Sequence, residues 1–356
     1  MIAHLFTNRE TVRSQSRGSQ HLGEVEPNET DMTKRILPLT ITLSLMALMG
    51  LLLTSCHKCV HEDLSKCPQG LDFVFYEPSP TNPTKKHYPD AVKEVRVFAF
   101  DEQGRLIREF SQKEIVLSEG YFLRTDYYRV GTTDFLAWAG GDLSQLDFSA
   151  FVPGKTTREE MIVALKRQVD SYQGAIAPIY VGVPDNGPLT QEGGRNQGSI
   201  YDRVPIRLTQ ITNRLNFTVR GLHPRHDYTI QVVDDNSRYT IAGKIAEDDR
   251  FVYKPSDLKK EKTTFTAWMD VMKLEKGRNA RLIVTDTTTG KEIFNENLVE
   301  GVLLKTGPTG TASTNTLDRH VFDIVLIFEY DKNVETYMAV RGSVNNWNIV
   351  FRNIGL

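Results

Sequence analysis

The three cysteines of this 356-residue chain, Cys56, Cys59 and Cys67, lie within about a dozen residues of one another. Thiols spaced so closely have three chemical uses: attachment of a lipid, a disulfide bond or a metal site. A cytosolic enzyme would not normally confine its cysteines to one short segment near the start of the chain. The residues around the cluster therefore have to indicate its chemistry.

The sequence that leads to Cys56 has the pattern of an export signal. Lys34 and Arg35 form a short basic start, and an uncharged, mainly apolar run follows over residues 36–53. A basic region, an apolar region and small residues in that order are typical of a secretory signal peptide. A membrane-spanning helix is the alternative, since the run only just reaches the necessary length. Pro38 and three hydroxyl residues within the run weaken that alternative.

The segment Leu53-Thr54-Ser55-Cys56 resembles the lipobox of bacterial lipoproteins. In that motif the cysteine thiol accepts a diacylglycerol, and a small residue such as Ser55 lets a peptidase cut before Cys56. Cys59 is the alternative acceptor, but Lys58 would place a bulky charge where the peptidase needs a small side chain. Several acyl chains on one residue give lasting membrane attachment. We therefore predict cleavage between Ser55 and Cys56 and a lipid tether on Cys56.

Residues 1–31 do not fit this signal, because they are polar, mixed in charge and precede its basic start. We interpret Met32 as the true translation start and residues 1–31 as a non-native extension. An unusually long basic region is the alternative. The signal peptide is then 32–55, and residues 56–70 form a lipidated tether to a membrane.

The remaining thiols, Cys59 and Cys67, form an even pair that could make a disulfide in an oxidising exported compartment. The loop between them is short and could be strained, so the bonded and free states both stay open. His57, Cys59, His61 and Cys67 offer ligand types that zinc accepts. Their spacing matches no standard zinc finger or ribbon, and we predict neither a metal nor a cofactor.

The composition excludes some classes of function. Hydrophobic residues make up 40% and charged residues 25% of the chain, as in a globular protein with a core. The net charge of −2 argues against a nucleic-acid partner, which would require a basic face. No phosphate-binding glycine loop and no Gly-x-Ser-x-Gly motif is present. His223 and His226 are more typical of a solvated turn than of a metal or acid–base pair. We expect no enzyme.

Strand patterns dominate the chain after the tether, with β-branched and aromatic residues in short runs between turns. The predicted strands are 71–76, 94–100, 105–110, 121–130, 135–139, 201–208, 214–219, 228–233, 238–242, 281–285, 292–295, 321–330, 335–340 and 347–351. Two short helices are predicted over 142–151 and 157–166. The protein is therefore expected to be all-β with few short helices, in two antiparallel β-sandwich domains at 71–205 and 206–356. Trp138, Trp268 and Trp347 fit core positions.

The segment from Cys59 to Leu71, with its acidic pair, second cysteine, Pro and Gly, resembles the start of a known family of mature proteins. The segments 94–110 and 208–222 look like the same family. It is the minor fimbrium anchoring subunit group of the Bacteroidia, within the type V fimbrillin superfamily. In many of its members the first cysteine of this motif carries the lipid. The extra cysteine at Cys56 is a departure.

The resemblance implies two tandem transthyretin-like β-sandwich domains and a structural role. A member of this family would anchor a type V fimbrium to the outer membrane and limit its length. It would contact the fimbrial shaft subunits (fimbrillin) by strand addition, in which main-chain hydrogen bonds supply affinity. A surface glycan-binding lipoprotein is the alternative. That class would show an exposed aromatic cluster in its loops.

Overall fold

Strands form nearly all the regular structure of residues 67–79, 82–192, 198–307, 310–333 and 336–351, which are the residues that the computed structural model describes. The signal peptide, Cys56 and Cys59 lie outside these ranges. No helix within them is long and apolar enough to cross a bilayer.

Twelve strands lie in the described residues up to 210. They are β1 (Gln69–Ser79), β2 (Asn82–His87), β3 (Glu94–Phe100), β4 (Leu106–Lys113), β5 (Leu123–Thr125), β6 (Gly131–Gly140), β7 (Leu146–Phe148), β8 (Ile162–Leu165), β9 (Ser171–Gln173), β10 (Ile179–Pro184), β11 (Leu189–Gln191) and β12 (Ile200–Gln210).

Eleven more strands lie in the part of the chain after residue 210 that the structure describes. They are β13 (Thr212–Arg220), β14 (Tyr228–Asp234), β15 (Arg238–Thr240), β16 (Phe251–Lys254), β17 (Asp257–Glu261), β18 (Thr264–Met272), β19 (Arg281–Asp286), β20 (Lys291–Asn297), β21 (Val321–Asp331), β22 (Thr336–Val344) and β23 (Trp347–Val350). A π-helical turn at Val299–Leu303 follows β20.

These strands form four sheets. The first has the order β2-β1-β12-β10-β6-β3-β4, with β5 beside β1 and β11 beside β6. The second is β17-β18-β13-β21-β22-β23, the third β20-β19-β14-β16-β9, and the fourth β15-β8-β7. Most neighbours are antiparallel, but β1 with β12, β13 with β21 and β9 with β16 are parallel. The predicted all-β class is confirmed.

Period-two alternation of apolar residues builds both layers of the second half. In β13, Leu215, Phe217 and Val219 are buried, while the residues between them are more exposed. The second and third sheets pack their apolar faces together, and the Phe294 and Phe328 ring centroids are 6.3 Å apart. The result is a β-sandwich.

The central strands β3 and β6 of the first sheet bury both of their faces. Along β3, Val95 and Val97 belong to one apolar cluster with β1, while Phe98 and Phe100 belong to a second cluster. The fourth sheet covers the second face, where the Trp138 and Tyr239 rings meet edge-on at 6.2 Å.

The helix predicted over 157–166 is wrong, because this segment contains β8 in the middle of the fourth sheet. Met161, Val163 and Leu165 are all buried and recur every second residue, which is the spacing of a strand. The helix predicted over 142–151 is also wrong. A single 3₁₀ turn at Leu143–Gln145, in which the Ser144 N–H donates to the Asp142 carboxylate, leads directly into β7.

The tryptophans differ in depth. Trp138 is fully buried, as predicted, and its indole N–H donates to the carbonyl oxygen of Ile241 at 2.8 Å. Trp268 and Trp347 are only half-buried. The Arg214 guanidinium lies 4.5 Å above the Trp268 ring.

The two halves of the chain share contacts. The Trp138 bond to Ile241 joins them, and β8 pairs with β15 while β9 pairs with β16. Sheet membership changes between β12 and β13. The division into domains at 205/206 stays a prediction.

Replacing Trp138 with alanine should destabilise the protein by about 3–5 kcal/mol, because it leaves a large cavity between the first and fourth sheets. Trp138→Phe should cost less, since the ring keeps most of the volume and only the bond to Ile241 is lost. Urea unfolding of both variants measures the difference. Equal stabilities for the alanine variant and the wild type would contradict this role of Trp138.

Candidate functional site: the first strand and the sheet edges

The first described strand after the predicted tether is β1. Among the cysteines predicted to be functional, Cys67 is the one that the structure describes; it is half-buried and lies two residues before β1. Cys56 and Cys59 lie outside the described residues, as does Ser55 at the predicted cleavage site. Lipidation, cleavage and the disulfide therefore stay predictions.

β1 has neighbours on both sides. It pairs in parallel with β12 over eight positions, from Gln69 opposite Ile200 to Tyr76 opposite Arg207. On its other side β5 pairs antiparallel with Leu71–Phe73, and β2 pairs antiparallel with Glu77–Ser79. The strand that follows the tether is therefore inside the sheet.

The side chains of β1 hold it in place from both faces. Leu71, Phe73 and Phe75 are almost completely buried, and the Phe73 ring meets Phe135 edge-on at 5.1 Å. On the opposite face the Asp72 carboxylate accepts two hydrogen bonds, each of 2.8 Å, from the Arg124 guanidinium. This two-point geometry ties β5 to β1 and raises the pKa of Arg124.

Gly70 permits a close approach of two backbones. A Cβ atom at this position would lie 1.9 Å from the carbonyl oxygen of Thr125 and 3.0 Å from the Tyr201 ring. Real atoms cannot come so close, so any side chain here would push β5 away from β1.

Most outer strands carry features that discourage pairing with another chain. These features are Pro83 and two lysines in β2, Arg108 and Lys113 in β4, two lysines in β17, and Lys291 and Glu292 in β20. The outer strands β7, β9 and β15 have only three residues each.

The edge at β23 is different. Its sequence, Trp347-Asn348-Ile349-Val350, contains no charge and no proline, and 49% of Val350 is exposed. Among the described residues, β23 has backbone pairing with β22 on one side only. No backbone group in the described part of the chain pairs with the other side of β23, and the apolar side chain of Val350 is exposed, a combination that favours addition of a strand.

A groove of about 490 Å³ lies beside the outer face of β1 and β12. The Lys86 ammonium is 4.5 Å from the Tyr76 ring centroid, and the Tyr76 hydroxyl donates to the Asp185 carboxylate at 2.6 Å. Burial and this carboxylate raise the pKa of Tyr76 to about 12. Tyr88 and Arg203 also line the groove. Sequence reasoning missed this groove because its residues come from separate segments.

The histidine pair lies in the turn between β13 and β14. The rings of His223 and His226 are 4.1 Å apart, and Nδ1 of His226 is 2.7 Å from the Asp286 carboxylate. Asp286 also accepts the backbone N–H groups of Thr288 and Thr289, so its carboxylate organises a turn. No group of three or more His, Cys, Asp or Glu side chains in the described part of the chain could hold a metal ion.

The sheets and their packing define an all-β protein with a β-sandwich. The chain belongs to the family of fimbrillin-A associated anchor proteins Mfa1 and Mfa2, whose model matches residues 64–353. The resemblance noted in the sequence is thereby confirmed.

One relative by sequence and two solved structures are similar to this chain. The chain is 27% identical over 317 residues to the minor fimbrium anchoring subunit Mfa2 of Porphyromonas gingivalis, covering 87% of this chain and 94% of that protein. The solved structure of the fimbrial anchor protein Mfa2 from Porphyromonas gingivalis matches with a TM-score of 0.70 and 24% identity, over 80% of this chain and 100% of that chain. A putative polysaccharide binding protein from Bacteroides thetaiotaomicron has the same fold, with a TM-score of 0.64 at 20% identity over 80% of this chain and 98% of that chain.

Gly70→Ala should lower the stability by about 1–3 kcal/mol, because the new methyl group meets the Thr125 carbonyl and β5 must move. Gly120→Ala is the matched control, since a Cβ there has no atom within 4 Å. Urea unfolding of the mature protein measures both. A Gly70→Ala variant as stable as Gly120→Ala would show that β5 does not constrain β1.

Proposed function

We propose that this chain is a lipid-anchored subunit that holds a type V fimbrium to the outer membrane. The match of residues 64–353 to a family of anchor proteins, directly after a lipobox-like cysteine, carries the proposal. In this proposal lipid on Cys56 fixes the N-terminus at the membrane, and the folded part stands on the cell surface at the base of the fimbrium.

The length of the tether suits this task. The ten residues between Cys56 and Cys67 can extend to roughly 35 Å at 3.3–3.6 Å per residue. That distance lets the folded part stand clear of the lipid head groups. It then reaches a fimbrial subunit without strain in the anchor.

Fimbrial shaft subunits (fimbrillin) would bind by strand addition, and we propose β23 as the accepting edge. The absence of charge on β23 supports this choice, because every longer outer strand carries charged residues. An extended segment of the partner would pair with the open side of β23 and so add a strand to the second sheet. The affinity would come from main-chain hydrogen bonds, with the partner's apolar residues packing beside Ile349.

Length control follows from the same arrangement. An anchor has one end held by lipid and one edge occupied by the fimbrium, so no further subunit can add below it. A higher proportion of anchor to shaft subunits would end growth earlier. The anchor would then limit the length of the fimbrium as well as hold it.

Cys56→Ala should abolish incorporation of an alkyne-labelled fatty acid into the protein, because the acceptor thiol is lost. Cys59→Ala, which removes the neighbouring thiol, should leave the labelling unchanged. Gel fluorescence after click chemistry measures both variants. Labelling that persists in Cys56→Ala and disappears in Cys59→Ala would move the lipid to Cys59.

Deletion of the protein should release fimbriae into the medium or change their length, as seen by electron microscopy and by immunoblots of cells and medium. Wild-type protein should restore attachment, and Val350→Lys should not, because a charge on β23 opposes strand addition. Leu258→Lys is the matched control, since Leu258 is an exposed residue on the opposite edge of the same sheet.

Cell-bound fimbriae of normal length in the deletion strain would contradict anchoring. Attachment restored by Val350→Lys would contradict only the choice of edge. A surface glycan-binding lipoprotein is the alternative function, and the groove beside Tyr76 and Lys86 is the observation that supports it. If fimbriae are unaffected and a polysaccharide affinity gel retains the purified protein, that alternative replaces the anchor.

A further inference from the structure

We infer that β1 also has a mechanical function: its parallel pairing with β12 is a shear clamp that carries the pulling force between membrane and fimbrium. The term shear clamp denotes the eight paired positions from Gln69–Ile200 to Tyr76–Arg207. The inference rests on the proposed function for the source of the force. The pairing geometry determines how the protein resists that force.

The force enters at the N-terminal end of β1. The lipid is proposed to hold Cys56, and the chain reaches its first paired position at Gln69 opposite Ile200. Tension in the tether therefore pulls Gln69 along the axis of β1, towards the N-terminus of the chain.

The force leaves through the C-terminal end of β12. β12 ends at Gln210 and β13 begins at Thr212, so the two strands are almost continuous. β13 lies inside the second sheet between β18 and β21, and that sheet also contains the proposed accepting edge β23. The Arg214 guanidinium makes two hydrogen bonds, of 2.8 and 2.9 Å, to the Asp270 carboxylate on β18. A load on the second sheet therefore reaches β12 through β13.

The two forces act on opposite ends of a parallel pair. The hydrogen bonds between parallel strands are evenly spaced along the pair and directed across it. Pulling the strands past each other therefore loads all these bonds together, and they must break almost at once. Pulling at the same end of both strands would load one bond at a time, which requires much less force.

The side chains of β1 oppose sliding as well. A slip by one residue would turn Leu71, Phe73 and Phe75 out of the core and place polar residues inside it. The same slip would bring Leu71 to the position where only Gly70 fits against the Thr125 carbonyl. Register and close packing therefore add to the hydrogen bonds of the clamp.

Single-molecule force spectroscopy on the mature chain tests the clamp, with one handle at the N-terminus and the other at an introduced cysteine. The three native cysteines are replaced by serine. Arg225→Cys, in the exposed turn after β13, loads the clamp in shear. Ser199→Cys, exposed directly before β12, loads the same strand pair from one end only. Both substitutions are at exposed positions, and urea unfolding checks that the two variants are equally stable.

The rupture force should be at least about twofold higher with the handle at residue 225 than at residue 199, because shear loads the bonds in parallel. The main event at residue 225 should release the chain from Gln69 to Gln210, a gain of roughly 500 Å in contour length. Equal rupture forces, or a main event that leaves this segment folded, would overturn the clamp. Neither result depends on the fimbrial release assay, so the clamp and the anchor function can fail independently.

Discussion

The parallel pairing of β1 with β12 is the constraint on which the first half of the molecule depends. Parallel neighbours cannot be joined by a tight turn, so the chain must leave β1 and return to the same end of the sheet. Residues 82–192 make that excursion and build the remaining strands of the first sheet and most of the fourth. The excursion also supplies β5, whose Arg124 holds Asp72 of β1 from the other side.

The same pairing connects β1, at the start of the folded chain, to the second sheet. β12 accepts β1 along most of its length and then continues as β13, so one nearly continuous path leads from the tether to the centre of the second sheet. Side-chain contacts such as the Trp138 bond to Ile241 add a second link between the halves. In this member of an anchor family, the strand that follows the predicted tether lies inside a sheet, where both of its edges are paired.

Local patterns predicted many of the strands but missed β10, β16 and β18. The hairpin of β3 and β4 and that of β19 and β20 lie where alternation and turn residues placed them. A helix was wrongly predicted over 157–166 because the threonines and glutamates of this segment resemble the first turn of a helix. The buried residues Met161, Val163 and Leu165 have the period of a strand, and packing between β7 and β15 overrode the local preference.

By itself the sequence determined the all-β class, the family and the cysteine cluster before the first strand, because alternation and motif spacing are properties of neighbouring residues. Only the tertiary structure decided that β1 runs parallel to β12, that Asp72 meets Arg124 and that β23 is the uncharged edge. The partners in these contacts are far apart in the chain. Their meeting depends on how whole sheets pack, which no short window of residues contains.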